Sequence, residues 1–228
     1  MTAAGSHTMT SIPSRDGTPI ACFASGDHER YDVEREFEDV AAVVDALAAH
    51  HGATVDVYGH SGGASFALGA ASLTPNTGRL VLYEPPVDPG ALLPPGFLDR
   101  LEELLADGDH DDVVEVFCRQ VLHMPDEQLA VYREHPSWAA RVAAAPTLPR
   151  ELAIPPERLF DPDRAGQVAS PTLVLTGDQT PASFAAGVEV VAAAIPGARV
   201  QSLRGQGHTA DVVAPALVAE HVLAFLAR

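Results

Sequence analysis

The stretch Val55-Asp56-Val57-Tyr58-Gly59-His60-Ser61-Gly62-Gly63-Ala64-Ser65 decides how this chain folds. A short run rich in β-branched residues ends at a glycine, a serine follows two residues later, and two more glycines lead into the small-residue run Ala64 to Ala71. The pattern predicts a strand, a sharp turn and a helix, with Ser61 at the apex. Glycines at 59 and 63 are expected to remove Cβ atoms that would collide where a strand turns directly into a helix. Gly62 leaves the backbone open to close approach by a ligand. Ser61 then projects its hydroxyl out of the fold at a helix N-terminus, where free N–H groups and the helix dipole favour negative charge.

Downstream, Pro171 to Thr176 reads as another buried strand and is followed by Gly177-Asp178-Gln179-Thr180-Pro181. Arg199 to Leu203 reads as the last strand, and the glycine-bearing loop after it carries Gly205-Gln206-Gly207-His208. On these three stretches the chain resembles the α/β-hydrolase family, whose G-x-S-x-G elbow places a serine nucleophile ahead of its histidine in chain order. The resemblance implies a mostly parallel α/β sheet, a Ser61 nucleophile, a His208 base and an oxyanion donor at the Gly62 N–H.

A serine hydroxyl is a poor nucleophile until a base takes its proton, and an imidazole near neutral pKa suits that task. Of ten histidines, His208 alone sits in a loop directly after the last strand. His60 fills the variable elbow position and reads as packing or pocket lining, and His50, His51, His110, His123, His135 and His221 read as solvated helix residues. The acid has two candidates. The family usually places aspartate three residues beyond the glycine ending the penultimate strand, and that position here is Thr180. Asp178 lies one residue after that glycine. Glu84 closes the strand Arg79 to Glu84 and is followed by Pro85-Pro86, so it points at the crevice beyond the carboxyl ends of the strands. Both stay open, with Glu84 preferred.

Two β-rich runs around Asp16-Gly17 predict an opening hairpin, and Asp32 caps an amphipathic helix carrying Val33, Phe37, Val40, Ala41, Val44, Leu47 and Ala48 on one face. Between them the family normally carries a strand, a helix and a second strand, with an oxyanion loop after the first. Only Ser25 to Tyr31 stands there, so the sheet is expected to lack two strands. Residues 88–164 alternate helical patterns with Pro and Gly and predict a helical cap inserted after the strand that follows the elbow. Residues 1–87 and 165–228 then form the hydrolase core.

Composition bounds the rest. The chain has 228 residues and a net charge of −17, which argues against nucleic acid and anionic membranes as partners. All 14 basic residues are arginine, which excludes Schiff-base lysine chemistry and a Ser-Lys dyad. Cys22 and Cys118 lie far apart and read as buried thiols. No histidine pair has a zinc spacing, so neither metal nor cofactor is expected. No window is apolar for the ~20 residues of a membrane span, and the N-terminus carries no basic segment followed by an apolar run, so the expectation is a cytoplasmic protein. The function expected is hydrolysis of a small or medium carboxylic ester through a Ser61 acyl-enzyme, at low rate. The alternatives are a non-catalytic small-molecule binding scaffold and a cofactor-free lyase or cyclase.

Overall fold

The computed structural model describes residues 31–227, together with the backbone of residues 10–13 and 19–22. Strands β1 (Thr10–Pro13) and β2 (Pro19–Cys22) pair antiparallel, Thr10 opposite Cys22. The turn at Asp16-Gly17, the Cys22 side chain and most of the Ser25 to Tyr31 link lie outside the described residues.

Helix α1 (Val33–His51) starts at Asp32, whose Oδ1 accepts the Glu34 N–H at 3.1 Å, as an N-cap carboxylate should. It stops at Gly52, whose φ of 66° is left-handed. Val33, Phe37, Ala41, Val44 and Ala48 are buried, five of the seven positions read from the pattern. It lies mainly against α2 (Gly62–Ala71), with Phe37 against Gly69, where an added Cβ would come within 2.4 Å of the ring.

The sheet has four parallel strands in the order β3-β4-β5-β6: β3 (Val55–His60), β4 (Thr77–Tyr83), β5 (Thr172–Gly177) and β6 (Arg199–Leu203). The central strands β4 and β5 read as nearly continuous apolar runs and are almost wholly buried, as both faces of a parallel sheet are covered. On one face Leu80, Leu82 and Val174 pack against α2 and α10 (Ala182–Ala194). On the other, Val81, Tyr83, Leu173 and Leu175 pack under α12 (Pro215–Leu226). Among the described residues the elbow strand β3 is an edge of this sheet, and its residues alternate between half-buried and exposed up to Gly59. The two-strand shortfall expected from the sequence therefore falls beside the serine.

Seven helices connect β4 to β5: α3 (Phe97–Asp107), α4 (His110–Gln120), α5 (Asp126–Glu134), α6 (Trp138–Ala144), α7 (Leu148–Leu152), α8 (Pro156–Leu159) and α9 (Pro162–Ala165). Helices α3 to α7 share one apolar cluster built on Leu101, Val113, Cys118, Leu129 and Tyr132. Helices α8 and α9 leave it: Leu159 joins Phe37 of α1, and Ala165 joins the cluster under α2 and α10. Burial pushes the Cys118 thiol up to about 11, so at neutral pH it is a packed apolar group. A short helix, α11 (Ala210–Val213), precedes α12.

Candidate active site

Ser61 stands between β3 and α2 with φ 55° and ψ −128°. A serine rarely adopts such a backbone, and it persists only where its surroundings over-determine it. Here the Ser61 N–H donates to the Tyr83 carbonyl at 2.8 Å, while the Ser61 carbonyl accepts from Ala64 N at 2.8 Å. Gly59 makes the turn possible: a Cβ there would lie 2.5 Å from the Gly63 oxygen and 2.6 Å from the Ala64 Cα. The expectation for Gly63 is corrected, because a Cβ at 63 would meet nothing within 4 Å. The close approach is made by its carbonyl, and only position 59 has to be bare. Gly62 opens α2, and the first N–H groups of a helix have no partner within it. Ser65 Oγ ties the new helix to the Pro86 carbonyl at 2.8 Å.

His208, in the loop after β6, brings Nε2 to 3.0 Å from Ser61 Oγ and Nδ1 to 2.6 Å from Glu84 Oε2. The carboxylate accepts, so the Nδ1 proton faces Glu84, and Nε2 is left to accept the Ser61 hydroxyl proton. Glu84 ends β4 with φ 46° and is fully buried. Its other oxygen, Oε1, accepts from Thr180 Oγ1 at 2.5 Å, Gly177 N at 2.7 Å and Thr176 Oγ1 at 3.1 Å. Burial alone would raise this carboxyl. The hydrogen bond and positive charge offered by His208, with those of Thr180 and Gly177, outweigh it and hold Glu84 below the usual glutamate range.

Asp178, the other acid candidate, is not brought to His208. Its Oδ1 accepts from Gly205 N at 2.7 Å and from Gln179 Nε2 at 3.2 Å. It joins the loop after β5 to the loop after β6, alongside Asp178 N to Leu203 O at 3.1 Å and Gln179 N to Gln206 O at 2.8 Å. The loops run so close that a Cβ on Gly177 would lie 2.1 Å from the Gln206 oxygen.

Two residues named in the sequence make contacts at the site that their positions alone did not give. Thr180 marks where the usual aspartate is missing, and its hydroxyl serves the glutamate that stands in from β4. His60 donates from Nε2 to the His208 carbonyl at 2.7 Å, and its Nδ1 lies 3.2 Å from Asp211 Oδ2. Burial, then the positive charge on His208, push the His60 imidazole down to about 4. Tyr83, its phenol raised by burial, donates to the Gly207 carbonyl. Of the histidines read as helical, His123 and His135 lie outside helices, His123 with φ 49°.

Beside Ser61 lies a cavity of about 90 Å³, roofed by α4 and α7 and lined by Phe66, Pro86, Phe117, Val121, Leu152 and Phe184; Glu151 is the charged group on its wall. On the far side of His208 a second, more polar cavity of about 330 Å³ opens between Leu122–Pro125 and the loops at Gln179 and Gly205. Among the described residues no three of His, Cys, Asp and Glu gather so as to hold a metal ion, and no helix is long and apolar enough to cross a membrane.

This architecture is matched by the sequence model described as "Alpha/beta hydrolase family", which covers residues 6–221. The chain belongs to the alpha/beta hydrolase family. Among solved structures this hydrolase is similar to an alpha/beta hydrolase from Sphaerobacter thermophilus DSM 20745, at 34% identity over 88% of this chain and 80% of that one, with a TM-score of 0.65. A hydrolase from Pseudomonas aeruginosa PA01 shares the fold at 19% identity, 99% and 100% coverage and a TM-score of 0.67. The enol-lactonase from Burkholderia xenovorans LB400 shares it at 21% identity, 87% and 74% coverage and a TM-score of 0.64. No curated protein matches the chain. The family match and the 34% identical neighbour support an enzyme of the hydrolase class.

Proposed function

We propose that this hydrolase cleaves small or medium carboxylic esters, cyclic ones included, through an acyl-enzyme on Ser61. The observation that carries the reading is the continuous relay from Ser61 Oγ to His208 Nε2 and from Nδ1 to Glu84, with Glu84 fully buried and fed by three further donors. In this reading His208 takes the hydroxyl proton as Oγ bonds to the substrate carbonyl carbon, and the oxyanion forms at the Gly62 N–H, at the start of α2. His208 then gives the proton to the departing alcohol. Water attacks the acyl-enzyme with His208 again as base, returning the carboxylic acid and free Ser61. Glu84 holds the imidazole tautomer and stabilises the imidazolium. The small apolar cavity beside Ser61 favours a short apolar acyl group. No His-Gly pair follows a strand in the Ser25 to Tyr31 link, and a lost oxyanion donor costs roughly 10²–10³ in rate, so turnover of activated esters is expected to be slow.

The test is a fluorophosphonate probe with intact-mass readout and Ser61→Ala as control. A stoichiometric adduct on the wild type alone is the expected result. A folded wild-type protein that takes no adduct refutes the reading and favours a ligand-binding scaffold. Trapping an acyl-enzyme during ester turnover separates the hydrolase from a lyase that uses the same serine.

A further inference from the structure

His60 occupies the variable position of the elbow, yet it is bonded to the backbone of the base itself. Its ring lies 5.2 Å from the Tyr83 ring and 4.8 Å from the His208 ring, centroid to centroid. A neutral imidazole carries one N–H. The His208 carbonyl, 2.7 Å from Nε2, requires it there, and Nδ1 is then a bare acceptor. That bare nitrogen lies 3.2 Å from Asp211 Oδ2. A lone pair and a carboxylate oxygen repel at this distance, so the contact holds only while one proton lies between them. Asp211 Oδ1 points the same way: it is buried with no hydrogen-bond partner, an orphan far more costly on a carboxylate than on a neutral carboxyl.

The groups facing this pair come from several elements. They are Tyr58 of β3, Tyr83 of β4, Arg141 of α6 and His208 itself. Arg141 and His208 both oppose a charge on His60.

We propose that His60 and Asp211 are positioning residues for His208, sharing one proton through which α11 and the base-bearing loop are fastened to the nucleophile elbow. The proposal rests on the Ser61–His208–Glu84 reading above. With the proton in place, Nε2–H fixes the His208 carbonyl while Oδ2 and Nδ1 hold each other. Both ends of the His60 imidazole thus anchor the loop that sets the Nε2–Oγ distance.

The test compares His60→Phe, Asp211→Ala and Asp211→Asn with wild type. Readouts are the rate of Ser61 modification by the fluorophosphonate, and kcat and KM for p-nitrophenyl acetate. His60→Phe and Asp211→Ala are expected to lower labelling and kcat by about tenfold to a hundredfold, the scale of a misplaced catalytic group, with KM little changed. Asp211→Asn offers Nδ1 an amide N–H and is expected to restore most of the rate. Asp211 is 24% exposed in its side chain, so the two Asp211 variants carry the test if His60→Phe does not fold. Labelling of Asp211→Ala as fast as wild type overturns the proposal, as does failure of asparagine to rescue. A wild type that takes no adduct overturns the hydrolase reading and this one with it; an adduct with unaltered variant rates overturns this one alone.

Discussion

Replacing Glu84 with glutamine tests the relay most directly, and the structure dictates how the new side chain must sit. Oε1 of Glu84 accepts three donors, from Thr180, Gly177 and Thr176. An amide nitrogen placed there would set donor against donor at 2.5–3.1 Å. The glutamine oxygen therefore keeps that side, and the nitrogen takes the Oε2 position, 2.6 Å from His208 Nδ1. An N–H aimed at Nδ1 makes that atom an acceptor and moves the imidazole proton to Nε2. There it faces Ser61 Oγ and cannot accept the hydroxyl proton. Shape and packing are nearly conserved, so Glu84→Gln should fold, while kcat falls about 10³–10⁴-fold, ~4–5.5 kcal/mol of transition-state stabilisation. The assay is the initial rate on an activated acetate ester and the second-order rate of fluorophosphonate labelling, with circular dichroism confirming the fold. Asp178→Asn is the companion, expected within a few-fold of wild type because its carboxylate serves the Gly205 amide rather than the imidazole. A Glu84→Gln enzyme within tenfold of wild type would refute the tautomer argument, and a larger loss in Asp178→Asn would move the acid's role to the β5 loop.

Three further outcomes follow from the same contacts. Gly59→Ala drives a methyl into backbone atoms at 2.5 and 2.6 Å and should cost about 3 kcal/mol or more, whereas Gly63→Ala meets open space within a helix and should gain about 0.5–1 kcal/mol; urea midpoints of the two variants should move in opposite directions. Thr180→Val removes a hydroxyl held 2.5 Å from a buried carboxylate and should cost ~1.5–3 kcal/mol, read as a lowered Tm, while part of the activity remains because Gly177 N–H still holds Oε1. Glu84 is depressed in the folded state, so the stability it contributes is present above the unfolded glutamate value of about 4.3 and is lost as pH falls through its lower folded value; acid unfolding followed by circular dichroism should begin with that loss in wild type and lack this contribution in Glu84→Gln.

Local chemistry made half of the site legible in the sequence. The elbow is written in adjacent residues, and Ser61 and His208 each follow a readable strand, so both were found without tertiary information. The sheet's shortfall was readable for the same reason, since seven residues cannot contain two strands and a helix. What remained ambiguous depends on contacts between residues far apart in the chain. Whether Glu84 or Asp178 serves the imidazole turns on which carboxylate the β5 and β6 loops leave free, and they consume Asp178 on Gly205. Gly59 and Gly63 look equivalent in a motif, yet the path of α2 presses only on position 59.

Thr180 and His60 show what such contacts do to the chemistry. A threonine where an aspartate is usual reads as a loss when the position is considered alone. Across the sheet it becomes a donor to Glu84, so with the proposed acid at the end of β4 position 180 keeps a supporting role. A carboxylate on β4 reaches the imidazole from the neighbouring strand, and Gly177 and Thr180 must then supply donors where an acceptor would otherwise stand. An aspartate restored at 180 would bring a second carboxylate against Glu84 Oε1, where the present hydroxyl lies 2.5 Å away. Like charges at that distance cannot both stay ionised in a buried site. The acid at 84 and the hydroxyl at 180 therefore have to be read as one unit, and so do the elbow histidine at 60 and the aspartate at 211.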